Sequence, residues 1–357
     1  MSAGDVSRLV TLAGRFLRTM QLEDGLFCEE RVRGDAHPQG RSLRYSLMTY
    51  IGLAKAGAAV DGFDLDALRA ALWAEVASAE LRPGDYGLYL WADGVRGDGS
   101  DAAELVGRAE DGLAGAGGLP GREGQEVSWL AIGLLRNPAA SDTDAGARLL
   151  RAALDELLVR ASGFSLLRHY GSAHVRRRFA NFATQIYGLL ALSVAAGEDE
   201  RVLPVARALA DRLIALQLPD GGWPWLFDAD RGRVVEPYEV YSVHQHAMAP
   251  MGLLELAEVT RDPRYADAAV HGLGWIHGRN ELGLEMVDEG EELIYRSIRR
   301  KRPFDRVVLY ASTATSLALR RNLPLDGTQV ELNATCRPYE LGWLLEAWCG
   351  REEVALG

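Results

Sequence analysis

The sequence predicts an all-α fold, an α/α toroid with about six inner and about five outer helices joined by short strand-like connectors. Three observations lead there. Apolar residues recur at helical spacing along all 357 residues. The helices so marked largely alternate between two kinds, one with a polar face and one apolar nearly all round, and a helix apolar all round is a buried one. A Gly–aromatic or Gly–Leu step returns between them about every sixty residues, with one longer gap, which reads as a repeated helical hairpin with a decorated loop.

The elements follow in order. The first outer helix is SRLVTLAGRFLRTMQ (7–21), closed by the connector QLEDGLF (21–27), and the first inner helix is RSLRYSLMTYIGLA (41–54). A second outer helix, ALRAALWAEVASAE (67–80), leads to a connector RPGDYGLYLW (82–91) and a glycine-rich insertion at 95–122 holding one short helix, 101–113. Inner EVSWLAIGLL (126–135) precedes outer ARLLRAALDELLVR (147–160), connector ASGFSLL (161–167) and inner FANFATQIYGLLAL (179–192). Outer VARALADRLIALQ (205–217), connector QLPDGGWPW (217–225) and inner HQHAMAPMGLLEL (244–256) come next. Outer RYADAAVHGLGWI (264–276), connector GRNELGLEM (278–286) and inner helices 306–319 and 337–348 end the series, with an outer helix missing or replaced near 321–336. Strand is expected only in connectors such as 223–240 and 282–298. In the connector at 217–225, Gly222 is expected to take a left-handed backbone and turn the chain. Nothing Pro- or Ser-rich divides the chain, so 1–357 reads as a single toroid domain.

Composition narrows the function classes. With 48% hydrophobic and 25% charged residues the chain has the profile of a soluble globular protein. No long uncharged apolar run exists, and the first eighteen residues lack a signal core, so a cytoplasmic protein with no membrane partner is expected. A net charge of −11 argues against nucleic acid as a partner. Against that background stand two basic runs, HVRRRF (174–179) and RSIRRKRPFDR (296–306). Cys28, Cys336 and Cys349 are odd in number and form no CxxC, which argues against a disulfide framework or zinc site. There is no phosphate loop, dinucleotide fingerprint or metal-ligand spacing, so no cofactor and no metal are expected.

Two stretches carry a resemblance. Gln217, Asp220, Gly221, Gly222 and Trp223 form a Q-x-x-D-G-G-W similar to a loop of squalene-type triterpene cyclases. Extended to Pro224, it also resembles the GGWP loop of α/α-toroid pectate lyases. The run TRDPRYADAAVHGLGWI (260–276) resembles the outer helices of six-hairpin sugar-active enzymes: polysaccharide lyases, epimerases and glycosidases. The resemblance implies the toroid and a carbohydrate substrate. The acidic D-x-D-D run of the cyclases is incomplete here: DLDA (64–67) and DAD (228–230) are the nearest approaches.

In a toroid the outer-to-inner loops gather at one mouth, lined by the first turns of the inner helices. Ser242 and Gln245 have capping-box spacing, which places His244 in a first turn where the helix dipole disfavours imidazolium. A neutral imidazole suits a general base. His246, about 200° further round the helix, does not share a metal with it. The preceding VVEPYEVYSV brings Glu239 and Tyr241 to one face of a strand and Glu236 and Tyr238 to the other. The expected catalytic set is therefore His244, Tyr241, Glu239 and His246. Trp223, Trp225, Arg178, Asn181, Arg337, Tyr45, Glu126 and Trp129 are expected to bind substrate; Arg44, Gln185, Arg306, Tyr310, Tyr339, Trp343 and Trp91 are further candidates.

This set predicts a carbohydrate-active enzyme working by proton abstraction, of lyase or epimerase type, on a glycan or sugar conjugate that is anionic if the arginines are used. An inverting glycoside hydrolase is the alternative. It needs two carboxylates about 6.5–9.5 Å apart, for which Glu126, Asp228, Glu236 and Glu239 are candidates. A terpene or prenyl cyclase would show a wall of aromatic and aliphatic side chains only. A non-catalytic binding protein would show a ring closed by side chains.

Overall fold

The computed structural model describes residues 3–76, 79–96, 99–114, 117–301 and 329–353. In that part of the chain the helices are α1 (Ala3–Arg18), α2 (Leu43–Ala56), α3 (Leu65–Val76), α4 (Pro83–Arg96), α5 (Ala102–Ala114), α6 (Gly124–Leu135), the short α7 (Pro138–Ser141), α8 (Asp144–Arg160), α9 (Phe182–Val194), α10 (Val202–Leu216), α11 (Ala249–Thr260), α12 (Pro263–Ile276) and α13 (Pro338–Trp348). The inner helices α2, α4, α6, α9, α11 and α13 each pack on the next, and α13 closes on α2. Outside them α1 lies on α13, α3 on α2, α5 on α4, α8 on α6, α10 on α9 and α12 on α11. This is an α/α toroid.

Two expectations about its second quarter were wrong. Residues 82–91 are not a connector but the start of the inner helix α4, and 101–113 is not part of an insertion but its outer partner α5. The outer layer among the described residues therefore has six helices, not about five. The turn-like glycines of RPGDYG explain the error. Pro83 occupies the first turn, where its missing N–H costs nothing. Gly84 and Gly87 serve close packing: a Cβ on Gly87 would lie 2.5 Å from the Leu130 backbone of α6. The opposite seam is as tight, since a Cβ on Gly52 of α2 would lie 1.9 Å from the Gly342 carbonyl oxygen of α13. Inside the ring Trp91 of α4 stacks on Trp343 of α13 at 5.2 Å between centroids, and both are buried. The expected inner helix 306–319, with Arg306 and Tyr310, lies outside the described residues. Of the residues near 321–336, those described include strand at 330–333 and 335–336.

The repeated connector is real at atomic detail. After α1, α8, α10 and α12 the chain makes one tight turn, in which the N–H of Gly25, Ser165, Gly221 and Gly283 donates to the carbonyl three residues earlier. All four have positive φ, +84°, +58°, +94° and +61°. Gln21 Nε2 donates to Gly25 O at 2.9 Å, and Gln217 Nε2 donates to Gly221 O at 2.8 Å, so the glutamines are the same device used twice. The left-handed residue of the third turn is Gly221, not Gly222 as the sequence suggested; Asp220 Oδ1 accepts from the Gly222 N–H at 2.9 Å.

Small antiparallel sheets decorate the mouth. Strands β1 (Arg31–Val32) and β10 (Thr335–Cys336) pair; β2 (Phe179–Asn181), β3 (Leu226–Asp228) and β4 (Arg233–Glu236) form one ribbon. A second is β5 (Val240–Tyr241), β8 (Ser297–Arg300) and β9 (Val330–Asn333); β6 (Val287–Asp288) pairs with β7 (Leu293–Ile294). Strand thus extends beyond the connectors 223–240 and 282–298, into 31–32, 179–181, 330–333 and 335–336. No described helix is long and apolar enough to cross a membrane.

Candidate functional site

A cavity of about 270 Å³ opens where the inner helices begin. Ser42 caps α2 by accepting from the Tyr45 N–H at 3.3 Å, which sets Arg44 and Tyr45 at the rim. The first turns of α6 supply Gln125 and Trp129. Asn181 Oδ1 caps α9, accepting from the Thr184 N–H and hydroxyl at 2.9 Å each, and the residue lines the cavity. Strand β5 brings Tyr241, the loop before β3 brings Trp225, and Arg296 and Tyr339 complete the far side.

His244 lines the floor, 3% exposed. Its ring is parallel to Trp225 at 6.0 Å and packs on Phe182 at 4.5 Å and Tyr241 at 5.1 Å. The expected capping box is absent. Ser242 Oγ donates to the Tyr295 carbonyl, while Gln245 spans Trp223 N and Tyr241 O. Residues His244–Met248 form one π-turn before α11, an irregularity that often marks functional sites. The imidazole is held neutral, down to about 3, first by burial and then by the Arg296 charge, with the Trp223 backbone opposing. The direction agrees with the sequence argument; the cause is burial rather than a helix terminus. His244 Nδ1 has no hydrogen-bond partner among the described residues.

Tyr241 donates its hydroxyl to Glu239 Oε2 at 3.1 Å. Glu239 Oε1 accepts from the Ser297 hydroxyl and from Asn333 Nδ2 at 3.2 Å, so the β5–β8–β9 ribbon fixes the carboxylate behind the tyrosine. Burial, then the Glu239 charge, push the Tyr241 phenol far up, and it stays protonated.

Two arginines flank the cavity, each with a buried carboxylate at its back and an aromatic ring beneath. Arg44 makes a bidentate pair with Asp85 at 2.6 and 2.9 Å and lies 5.7 Å from the Trp129 centroid. Arg296 pairs with Glu340 and lies 5.0 Å over Tyr241. These pairs answer the cost of burying charge. Among the described residues lining the cavity there is no aspartate or glutamate.

The structure brings together Tyr45, Trp129, Asn181, Trp225, Tyr241 and His244 of the expected residues, with Arg44 and Tyr339. It places the others elsewhere. Glu239 stands behind Tyr241, and Arg337 stands behind Tyr45, donating to its hydroxyl. Trp223 is buried under Phe182, and His246 is fully buried with neither ring nitrogen hydrogen-bonded among the described residues. Glu126 pairs with Arg82 at 3.2 Å, and Arg178 with Asp228 at 3.5 Å. Trp91 is core. Sequence reasoning missed Gln125, Tyr187 and Arg296; only Arg296 carried a signal, as the first residue of the second basic run.

The whole arrangement is similar to known structures. A sugar epimerase from a ruminal bacterium aligns over 98% of this chain and 99% of its own, at 11% identity and a TM-score of 0.65. An unsaturated glucuronyl hydrolase specific for heparin aligns over 97% and 95%, at 14% and 0.63. Cellobiose 2-epimerase from Bacillus thermoamylovorans B4167 aligns over 94% and 95%, at 11% and 0.65. The likeness is one of fold. No family model and no curated protein matches the sequence.

Proposed function

We propose that the chain is a carbohydrate-active enzyme, one toroid over 1–357, that moves a proton at a sugar carbon by epimerisation or β-elimination. The carrying observation is the composition of the wall: a neutral imidazole and a protonated phenol beside arginines and aromatic faces, without a carboxylate among the described lining residues. That composition also speaks against inverting hydrolysis, because Glu126, Asp228, Glu236 and Glu239 all lie outside the wall. Arginines on the wall count against a terpene cyclase, and an open cavity counts against a purely structural ring. The fold is shared with proteins named as epimerases and a glucuronyl hydrolase, which supports a sugar substrate.

In this reading a sugar ring stacks on Trp225. His244 takes the proton from a carbon beside a carbonyl or carboxylate, and the electron pair moves onto that group's oxygen. Arg296 and Asn181 Nδ2 donate to the oxygen as charge develops. Tyr241 supplies a proton, to the opposite face of the carbon in epimerisation or to the departing oxygen in elimination. For that step the hydroxyl turns towards the substrate from Glu239 Oε2, to which it donates at rest. The test is incubation with neutral and uronate disaccharides in D2O, followed by NMR. Deuterium entering at one sugar carbon, or a new C=C bond, is expected from the wild type and not from His244→Gln. Glycosidic hydrolysis without exchange, or turnover undiminished in His244→Gln, sinks the proposal.

A further inference from the structure

The ribbon of β2 and β3 leads out of the cavity to a concentration of arginine. At its inner end Asn181 and Trp225 line the cavity, and the Phe182 N–H donates to Trp225 O at 2.9 Å. At its outer end, one strand-length and roughly 10 Å away, Phe179 pairs with Asp228. There Asp228, fully buried, draws Arg178 to 3.5 Å and Arg231 to 3.3 Å through the same oxygen, Oδ2. Asp230 holds Arg168 at 2.7 Å. The loop before β2 adds Arg176 and Arg177, neither in an ion pair within 4.0 Å among the described residues, with His169 N donating to Arg177 O. Five arginines thus cluster here in a chain whose net charge is −11: three pair with the two aspartates, and the guanidinium of Arg176 lies 3.4 Å from His169 Nε2. Beside them Phe164, 52% exposed, rests on the β3–β4 turn, where a Cβ at Gly232 would touch it at 2.7 Å.

We infer that this patch is a binding subsite for the anionic groups of an extended glycan whose terminal sugar occupies the cavity. The inference rests on the proposed carbohydrate reading and names its substrate class: an oligosaccharide carrying carboxylate or sulfate groups beyond the unit that reacts. Three features fit that ligand together. Planar guanidinium groups pair bidentately with carboxylate and sulfate oxygens. Phe164 offers a ring face to the apolar side of a sugar. The ribbon joins the two sites, with Arg178 adjoining Phe179 at one end and Asn181 at the other. Positive potential beside a mouth in an otherwise acidic surface also steers anions toward it. Nucleic acid would exploit the charge but has no use for the Trp225 cavity.

The test measures binding by calorimetry at low salt with three probes: a tetrameric oligouronate, a cello-tetraose of equal length, and a short single-stranded DNA of equal charge. Sulfated and unsulfated uronate chains separate the two anionic groups. The expected result is that the oligouronate or its sulfated form binds and the neutral chain binds at least about 10-fold more weakly. Arg177→Gln with Arg231→Gln is expected to cost about 5–30-fold in affinity, shrinking as salt rises. Trp225→Ala is expected to weaken the same ligand. The readout is binding and needs no turnover, so a failure of the catalytic reading leaves this result standing. Equal binding of neutral and anionic chains, DNA binding as tight as the oligouronate, or indifference to the arginine pair overturns the inference. Indifference to Trp225→Ala overturns the continuity of the two sites.

Discussion

Replacing Gly221 by alanine separates two costs that usually arrive together. Gly221 and Gly25 occupy the same place in the same turn, at φ +94° and +84°. A side chain in that left-handed region costs about 1–2 kcal/mol at either site. Only Gly221 is crowded: its Cβ would lie 2.5 Å from the His271 carbonyl oxygen of α12, whereas nothing lies within 4 Å of a Cβ at Gly25. The α10 turn must then draw away from α12. That movement strains the Gln217 Nε2 bonds to Gly221 O at 2.8 Å and Ala268 O at 3.2 Å, each worth about 1 kcal/mol. Gly221→Ala should therefore cost about 3–4 kcal/mol and Gly25→Ala about 1–2 kcal/mol. Urea unfolding followed together by tryptophan fluorescence and circular dichroism measures both. Equal losses for the two variants would refute the steric half of the reasoning, and no loss for Gly25→Ala would refute the backbone half.

Ser165 holds the corresponding turn at φ +58° with a side chain, so Ser165→Gly should gain about 0.5–1 kcal/mol in the same assay; a loss contradicts the shared-turn account. Tyr241→Phe removes the proposed acid while keeping the ring beneath Arg296, and turnover should fall at least about 100-fold with the unfolding midpoint nearly unchanged. His246 is buried and pushed down to about 3 by burial, so between about pH 6 and 4 the unfolded chain binds a proton there that the folded chain does not, and stability falls with pH by about 1.4 kcal/mol per unit from this group. Burial raises the Glu340 and Glu346 carboxyls, which act in the opposite sense, so the informative quantity is a difference: His246→Gln should flatten the acid-side slope by about that amount, and an unchanged slope means His246 is not a buried neutral group.

The fold was legible because burial and periodicity act together. Helices such as α9, with Phe182, Ile186, Leu189 and Leu190 buried around it, advertise an inner position in any window of sequence. It failed at α4, where Pro83, Gly84 and Gly87 carry the signature of a turn, and only the approach of Leu130 across the helix pair explains them. The candidate wall was legible in part. Tyr45, Asn181, Trp225, Tyr241 and His244 follow from where loops meet inner helices. Arg178 and Arg296 both sit in basic runs, yet one lines the cavity and the other does not. What separates them is the carboxylate each meets, Asp228 or Glu340, distant in sequence from both and supplied by folding.

The turns that repeat and the loops that vary divide the labour of this ring. After α1 the turn at Gly25 leads to β1 and on to α2; after α10 the same turn at Gly221 is followed by β3, β4 and β5 before the chain re-enters the ring. The tight turn fixes where α1, α8, α10 and α12 stop, through backbone bonds that depend on one left-handed residue and not on what comes next. The residues after it are then free of the helical period. In the α10 loop they deliver Trp225 and Tyr241 to the rim, with Glu239 behind the tyrosine, and end on the π-turn that holds His244. His244 faces the cavity while His246, two residues on and so turned to the other side, is fully buried. If this division is correct, shortening the loop between β3 and β4 should leave the helical ring folded while changing the cavity, because the ring's closure runs through α13 on α2 and not through this loop.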